Sequence, residues 1–421
     1  MAEFYKVFPS GHLTGEIAIQ GAKNSVLKLM AATVLAPGKH VITNVPDITD
    51  VHDMSELLRA MGAGVSLKNS VLEILMPADL DPELPEDFVK KMRASIVLIG
   101  PMLARKGYVK SAMPGGDDFG GRPINFHVKG FESMGASVKH DFKQIIARAQ
   151  PGGLQAARYV LEYPSHTATD NLMMAAVLAR GVSIIENAAR EPEVVDLAKF
   201  LNSMGAKITG AGTSLLKIEG VDQLCPGSPH ELIPDRVEAA TFMAAVGIAG
   251  GSVKLKNANY RNLDTFIYKL QAMGLEIKSN PGAIEVCFEG RIKPVDVVTL
   301  PYPGVATDYK PFLVTMLALA EGTSVVTENV FGAGRFRYVD ELNKLGAKIT
   351  LKDHHALIKG VEIFNGGHVK ATDVRGGAAL VMAGLKARSE TIIGDIYHIK
   401  RGYERFSEKL RSIGVEIYHL V

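Results

Sequence analysis

Acidic and basic side chains bordered by glycines recur at a few points of this 421-residue chain, most densely in the fifteen residues from Met113 to His127. That stretch reads Met-Pro-Gly-Gly-Asp-Asp-Phe-Gly-Gly-Arg-Pro-Ile-Asn-Phe-His, with four glycines, two prolines, the adjacent carboxylates Asp117 and Asp118, and Arg122. Paired glycines let a backbone approach a ligand closely. An arginine beside them offers a planar fork for phosphate or carboxylate, and a neighbouring carboxylate is a candidate for proton transfer. The same composition also makes an ordinary solvated turn, so the rest of the chain must decide.

Other positions repeat the theme. Lys23 and Asn24 follow Gly21-Ala22 and precede the apolar run Val26–Ala36, an arrangement suited to an oxyanion on a helix N-terminus. Arg93 opens the apolar segment Met92-Arg-Ala-Ser-Ile-Val-Leu-Ile-Gly100, and Arg375 and Arg401 also border glycines. Asp308 lies in Gly304-Val-Ala-Thr-Asp-Tyr309, ahead of the helical run Pro311–Ala320. An aspartate there serves as a helix cap or, facing cations, as a base. Each residue alone also reads as solvated surface. Together they supply enough positive charge for a ligand bearing phosphate and carboxylate.

The elements that must position these residues come from a repeat. Helix-like segments ending in an apolar residue plus glycine, each followed by a strand-like segment, place Gly62, Gly135, Gly205, Gly274, Gly346 and Gly414 at intervals of 73, 70, 69, 72 and 68 residues. Each of these glycines sits where a helix needs a left-handed C-terminal residue. A second signal runs in phase, an Ala/Leu-rich helix turning into a β-branched strand near Gly38, Gly107, Gly181, Gly251 and Gly322, with Ser389 in the last copy. The period exceeds that of the common solenoids. It predicts a small α/β module duplicated into a two-domain, three-plus-three protein.

Bulk properties narrow the function. With 47 basic and 45 acidic residues the net charge is +2, so no polyanion-binding face is expected and nucleic acid is excluded as a partner. Two cysteines, Cys225 and Cys287, in unrelated contexts predict neither a disulfide framework nor a metal site. The opening Met-Ala-Glu-Phe-Tyr-Lys has no basic region leading into an apolar run, and no apolar stretch reaches the length of a membrane helix. The expectation is a cytoplasmic protein without membrane association.

The motifs Gly21-Ala-Lys-Asn24, Lys91-Met-Arg-Ala-Ser-Ile96, Pro114-Gly-Gly116, Gly121-Arg-Pro123, Glu186-Asn-Ala-Ala-Arg-Glu-Pro-Glu193, Pro234-Asp-Arg236, Thr307-Asp308, Ala371-Thr-Asp373 and Arg401-Gly-Tyr-Glu-Arg405 run in one order along the chain. In them the sequence resembles, essentially end to end, the UDP-N-acetylglucosamine 1-carboxyvinyltransferase family, the enolpyruvyl transferases that open peptidoglycan synthesis. The resemblance implies an inside-out α/β barrel of two domains, each of three βαβαββ repeats. One domain would comprise residues 1–22 and 235–421, and the other residues 23–234 with a mobile loop at 113–127. It implies phosphoenolpyruvate and UDP-N-acetylglucosamine as substrates, with no metal or organic cofactor. Lys23, Asp117 and Asp308 would be the catalytic residues, Asp308 taking the proton of the attacking sugar hydroxyl. Lys23, Arg122 and Arg401 would hold the phosphate of phosphoenolpyruvate, Arg335 and Arg375 its carboxylate side, and Arg93 would support the site. The substrate-binding set would further include Asn24, Pro123, Ile124, Asn125, Phe126, Ser165, His166, Thr167, Val330 and Asp373.

Three departures from the family pattern cluster at the substrate edges. The helix start that usually reads Ser-Val-Gly-Ala-Thr, often behind a lysine, reads Tyr163-Pro-Ser-His-Thr-Ala-Thr169 here. Its backbone N–H groups would still bind a diphosphate, with His166 in solvent or adding a donor; the alternative is a changed nucleotide. Val330-Phe-Gly-Ala-Gly-Arg-Phe336 gains a residue and loses an acidic one, and Tyr302 replaces a common histidine. A different sugar-nucleotide acceptor, or a silent sugar-nucleotide-binding paralogue, are the competing readings. The shikimate 3-phosphate sister family is disfavoured because its Gly-Ser-Lys-Ser type signature is replaced.

Asp117 stands where many members of the resembled family carry a cysteine. The thiolate is the reactive form of cysteine, whereas a carboxylate is a poor nucleophile toward an epoxide. Fosfomycin is therefore expected to leave this protein unlabelled. Intact-protein mass spectrometry after incubation checks this, and an adduct on Asp117 contradicts it.

Overall fold

The computed structural model describes residues 3–116 and 123–421. These form two compact units, one of residues 3–20 and 234–421, the other of residues 21–116 and 123–233. No helix among the described residues is long and apolar enough to cross a membrane.

The larger-numbered unit holds three four-stranded sheets. In the second, Val297–Thr299 runs parallel to Thr323–Glu328, which pairs antiparallel with His355–Lys359, and that strand with Lys348–Lys352. The chain passes from the first strand to the second through the helix Lys310–Leu317, and from the second to the hairpin through Tyr338–Lys344. This is one βαβαββ repeat. Its neighbours are built alike, with two exchanges that knit the unit together. Phe4–Val7 is inserted between Thr391–Gly394 and Ile417–Leu420, and Leu13–Ala18 pairs parallel with Gly251–Lys256. Strands from the beginning of the chain thus complete repeats from its middle and end.

The other unit follows the same plan. Its first repeat takes its parallel strand from the end of the segment, His230–Glu231 beside Gly38–Thr43. Its second sheet has three strands, Tyr108–Ala112, Gln144–Ala149 and Ala136–His140. A single parallel bridge from Glu83 to Lys110 stands where the fourth strand would be.

Each unit is an inside-out barrel because its central helices carry no polar face. Every residue of Arg236–Ala249, Lys310–Leu317 and Val374–Leu385 is buried, the charged Arg236, Glu238, Lys310 and Arg375 in their first turns included, so these helices turn no face to water. The sheets lie outside and alternate, as in Leu215–Glu219 and His355–Lys359, where every second side chain faces inward. The six predicted helix-ending glycines all have positive φ, between 83° and 109°, so the period in the sequence is a period of left-handed caps. A further signal went unread. Asn44, Asn187, Asn257 and Asp395 follow strands with φ between 52° and 59°, and Asn44 and Asn187 donate Nδ2–H to Leu232 O and Leu161 O at 3.0 and 2.8 Å. Asparagine and aspartate tolerate this region better than most side chains, and these two amides use it to bond a neighbouring segment rather than their own turn.

Two glycines separate steric from conformational need. A Cβ on Gly360 would lie 1.8 Å from Ala320 O, whereas one on Gly274, at φ 109°, would come no nearer than 3.6 Å to Phe288. Gly360→Ala is expected to cost about 3 kcal/mol by overpacking and Gly274→Ala about 1 kcal/mol by backbone strain. Thermal unfolding of both variants tests the ranking, and the reverse order contradicts it.

Candidate active site

Each of the three inner helices of the 234–421 unit has an aspartate at or near its start, and one of the three is used differently. Asp235 caps the helix Arg236–Ala249, its Oδ1 accepting from Val237 N and Glu238 N at 2.7 and 3.2 Å. Asp373 caps Val374–Leu385, accepting from Arg375 N and Gly376 N, both at 3.0 Å. The third helix differs. Its leading turn Thr307–Tyr309 starts at Ala306, which has no capping side chain. Asp308 sits one position inside that turn, and its Oδ1 accepts from an Arg335 terminal nitrogen at 2.5 Å. Its side chain keeps 26% exposure, against 6% for that of Arg335. A carboxylate that is still wetted and oriented by a guanidinium can accept a proton from a ligand.

Arg375 lies on the first turn of the helix that Asp373 caps, buried, with its guanidinium 5.0 Å from the Tyr403 ring. Burial works against its charge, but Tyr403, Asp235 and Asp308 outweigh burial and raise its pKa further. One terminal nitrogen, Nη1, has no hydrogen-bond partner among the described residues. A buried, permanently charged donor left unpaired is costly, and an anionic ligand would satisfy it. Arg401 and Val330 are half-buried in the same unit.

In the other unit the first two inner helices start without a capping side chain, at Ala22 and Met92. The residue just inside each is a cation, Lys23 and Arg93. Lys23 Nζ lies 2.8 Å from Asp50 Oδ2, a buried carboxylate. Burial lowers the Arg93 pKa. The base of the glycine stretch is pressed onto this turn. A Cβ on Gly115 would lie 1.7 Å from Lys90 O, and one on Gly116 2.9 Å from Arg93 N. The close approach expected of these glycines is thus toward the protein's own backbone. Asp117, Asp118 and Arg122 lie outside the described residues.

Pro123 is exposed and Ile124 buried. The last residues of the stretch, Asn125, Phe126 and His127, are not loop but the start of the helix Asn125–Ser133. Asn125 Oδ1 is buried without a partner among the described residues. His127 is buried against Asn171, whose Nδ2 lies 3.0 Å from its Nδ1 and donates to Ile96 O at 2.9 Å. Burial, and then the charge of Arg93, push the His127 pKa down to about 3.

Ser165 caps His166–Ala176, accepting from Ala168 N at 3.4 Å. His166 does not extend into solvent. Its Nε2 is 2.6 Å from Lys28 Nζ, which itself stands 3.1 Å from Asp170 Oδ2. Asp170 is buried, which pushes its pKa up to about 6 against the pull of Lys28. The lysine missing ahead of this helix in the sequence is therefore matched by one from the helix Lys23–Ala32. Lys28 was legible only as a lone charge inside the apolar run Val26-Leu-Lys-Leu-Met30. The sequence reading also passed over Lys310 and Glu328, a fully buried pair 2.9 Å apart behind the Asp308 turn.

The chain matches the EPSP synthase (3-phosphoshikimate 1-carboxyvinyltransferase) family over residues 7–410. It is 46% identical to UDP-N-acetylglucosamine 1-carboxyvinyltransferase 1 of Caldanaerobacter subterraneus, over 98% of this chain and 99% of the relative. It is 47% identical to UDP-N-acetylglucosamine 1-carboxyvinyltransferase 2 of Carboxydothermus hydrogenoformans, over 96% of each. Among solved structures, the enolpyruvyl transferase NikO from Streptomyces tendae superposes with a TM-score of 0.88 at 23% identity, covering 100% of this chain and 99% of that one. EPSP synthase from Acinetobacter baumannii superposes with a TM-score of 0.75 at 19% identity, each chain fully covered. At those identities the two structures speak for the fold alone.

His127 carries a pH signature. Its folded pKa, about 3, lies below the unfolded value of about 6.5, so only the unfolded chain takes up this proton as pH falls through 6.5. The stability is present above that pH and lost below it, by about 2 kcal/mol between pH 7 and 5. His127→Gln is expected to remove that share of the acid sensitivity. Urea unfolding of both proteins at the two pH values checks it, and an equal loss in the variant contradicts it.

Proposed function

The chain belongs to the EPSP synthase family of enolpyruvyl transferases, and from that premise we propose that it transfers the enolpyruvyl group of phosphoenolpyruvate to the 3-hydroxyl of UDP-N-acetylglucosamine. Inorganic phosphate is the other product, and the step is the first committed one of peptidoglycan synthesis. The family description names a shikimate enzyme, whereas relatives with nearly half of the residues identical carry the UDP-N-acetylglucosamine name. The acceptor reading follows those relatives over nearly the whole chain, and the alternatives of another acceptor or a silent paralogue are set aside.

The observation that carries the mechanism is the different use of the aspartates near three helix starts. Asp235 and Asp373 spend their carboxylates on helix caps, while Asp308 is set on Arg335 and stays partly exposed. Asp308 is the base. It accepts the proton of the sugar hydroxyl as that oxygen bonds to carbon 2 of the enol, and carbon 3 gains a proton. The product of this addition is a tetrahedral ketal. Loss of a proton from carbon 3 then expels phosphate and restores the double bond on the transferred group. Arg335 and the unsatisfied Nη1 of Arg375 hold the carboxylate side of the donor. Positive groups favour phosphate departure because they stabilise charge where it develops, and Lys23 and Arg401 take that role, with Arg93 in support. The acid at carbon 3 is assigned by resemblance to Asp117, and phosphate binding also to Arg122, both outside the described residues. Ser165, His166 and Thr167 start the helix read as binding the acceptor's diphosphate, with Asn24, Pro123, Ile124, Asn125, Phe126, Val330 and Asp373 completing the substrate-binding set.

Phosphate release from phosphoenolpyruvate with UDP-N-acetylglucosamine tests the reading. Wild type should turn over, and Asp308→Asn should lose about 10²- to 10⁴-fold in kcat, the range of general base catalysis. Turnover unchanged in Asp308→Asn removes Asp308 as the base. Release only with a different acceptor overturns the substrate.

A further inference from the structure

Glu328 ends the strand Thr323–Glu328 with its side chain facing inward and buried. Its two oxygens are fully engaged. Oε1 accepts from Val330 N and Phe331 N at 2.8 and 3.1 Å. Oε2 accepts from Thr307 Oγ1 at 2.8 Å and stands 2.9 Å from Lys310 Nζ. The Lys310 contact is a buried ion pair. The ammonium also lies 3.6 Å from the centre of the Phe336 ring. Next to it in the chain, Asn329 N donates to the buried Thr299 Oγ1 at 3.0 Å.

These contacts share one geometry. Thr307 and Lys310 flank Asp308 on one turn, while Val330, Phe331 and Phe336 bracket Arg335 on the facing segment. A single carboxylate and a single ammonium therefore hold both segments against one strand end, directly behind the ion pair that joins Asp308 to Arg335. Burying two charges is expensive, and apolar side chains of similar volume would often serve stability as well or better. What an apolar pair cannot do is accept two backbone N–H groups and a hydroxyl at fixed angles.

Resting on the reading of Asp308 as the base, we propose that Lys310 and Glu328 are positioning residues, whose buried pair sets where Asp308 and Arg335 stand for proton transfer. Misplacing a reacting group by about 1 Å costs on the order of a hundredfold in rate, so the pair acts on turnover more than on substrate binding. Its charge balance matters too. Burial lowers the Lys310 pKa to about 8, with Glu328 and Asp373 resisting and Arg335 adding to the shift. Burial would raise Glu328, but Lys310, Thr307 and the Phe331 N–H more than offset it. Tyr338, buried beside Asp373, Glu328 and Arg335, stays protonated well past this range. When Lys310 loses its proton, Glu328 remains as a buried anion without its counter-charge, at the strand end that holds both segments.

The test compares wild type, Lys310→Gln and the neutral double variant Lys310→Gln/Glu328→Gln. The single variant leaves Glu328 unpaired and can fail to fold. The double variant keeps hydrogen-bonding groups at both positions, and thermal unfolding certifies that it is folded. The folded double variant should lose about tenfold to a hundredfold in kcat with acceptor KM little changed. The alkaline limb of wild-type kcat near pH 8 should be absent from it. A folded double variant with wild-type kcat and an unaltered alkaline limb overturns the proposal.

A second reading does not depend on turnover. In protein labelled with carboxyl-¹³C aspartate, the Asp308 signal is identified by its absence from Asp308→Asn. Its titration should move in the double variant, and an unmoved titration overturns the proposal even if wild type proves inactive with these substrates. Failure of the function and failure of the positioning role are thereby told apart.

Discussion

Helices buried on every side leave a protein few places for charge. In each unit the inner helices are surrounded by their neighbours and by the inward faces of the sheets, so a polar side chain along their length must be paired. Only the helix ends, where backbone groups go unsatisfied, give charged residues a natural partner. Asp235 and Asp373 find such partners in the N–H groups of helix starts, whereas Lys23 and Arg93 stand at uncapped starts whose N–H groups and dipole do not favour a cation. Duplication then multiplies the effect, since each repeat contributes another helix start.

Within this frame, repeats diverge by changing what a helix start is for. Asp235 and Asp373 stabilise their helices in the ordinary way, by accepting backbone N–H groups. Asp308 has given that up, and its turn is held from behind by Glu328 and Lys310. In the other unit Ser165 is a conventional cap, whereas Lys23 and Arg93 follow uncapped starts. The departures from the structural default fall where the proposed chemistry needs a base or an anion site.

Buried charges also tie distant segments together. Glu238 pairs with Lys409 at 2.7 Å and accepts the Gln20 N–H at 2.7 Å, joining both terminal segments of the unit that holds residues 3–20 and 234–421. Burial pushes its pKa up to about 7 despite that lysine. Asp170, Lys28 and His166 link two inner helices of the other unit in the same manner. Such pairs are poor sources of net stability, but they specify which segments meet.

Much of this was legible in the sequence because it is periodic or local. The sixfold spacing of glycines reports left-handed helix caps, a property of one residue's backbone, and all six adopt it. The module count, the α/β class and the order of the motifs follow from neighbours in the chain, and the motifs carried the family resemblance. The stretch at 113–127 was read too long because its last residues alternate no differently from a loop, yet they start the helix Asn125–Ser133. What only tertiary structure decided is pairing across distance. Lys28 meets His166 across 138 residues, Phe4–Val7 joins strands near the opposite end, and Asp308, unlike its two counterparts, is set on an arginine rather than on a cap. Side-chain pairing has no period and leaves no local mark, because its energy depends on which groups share a buried space, and that space exists only once the repeats have closed.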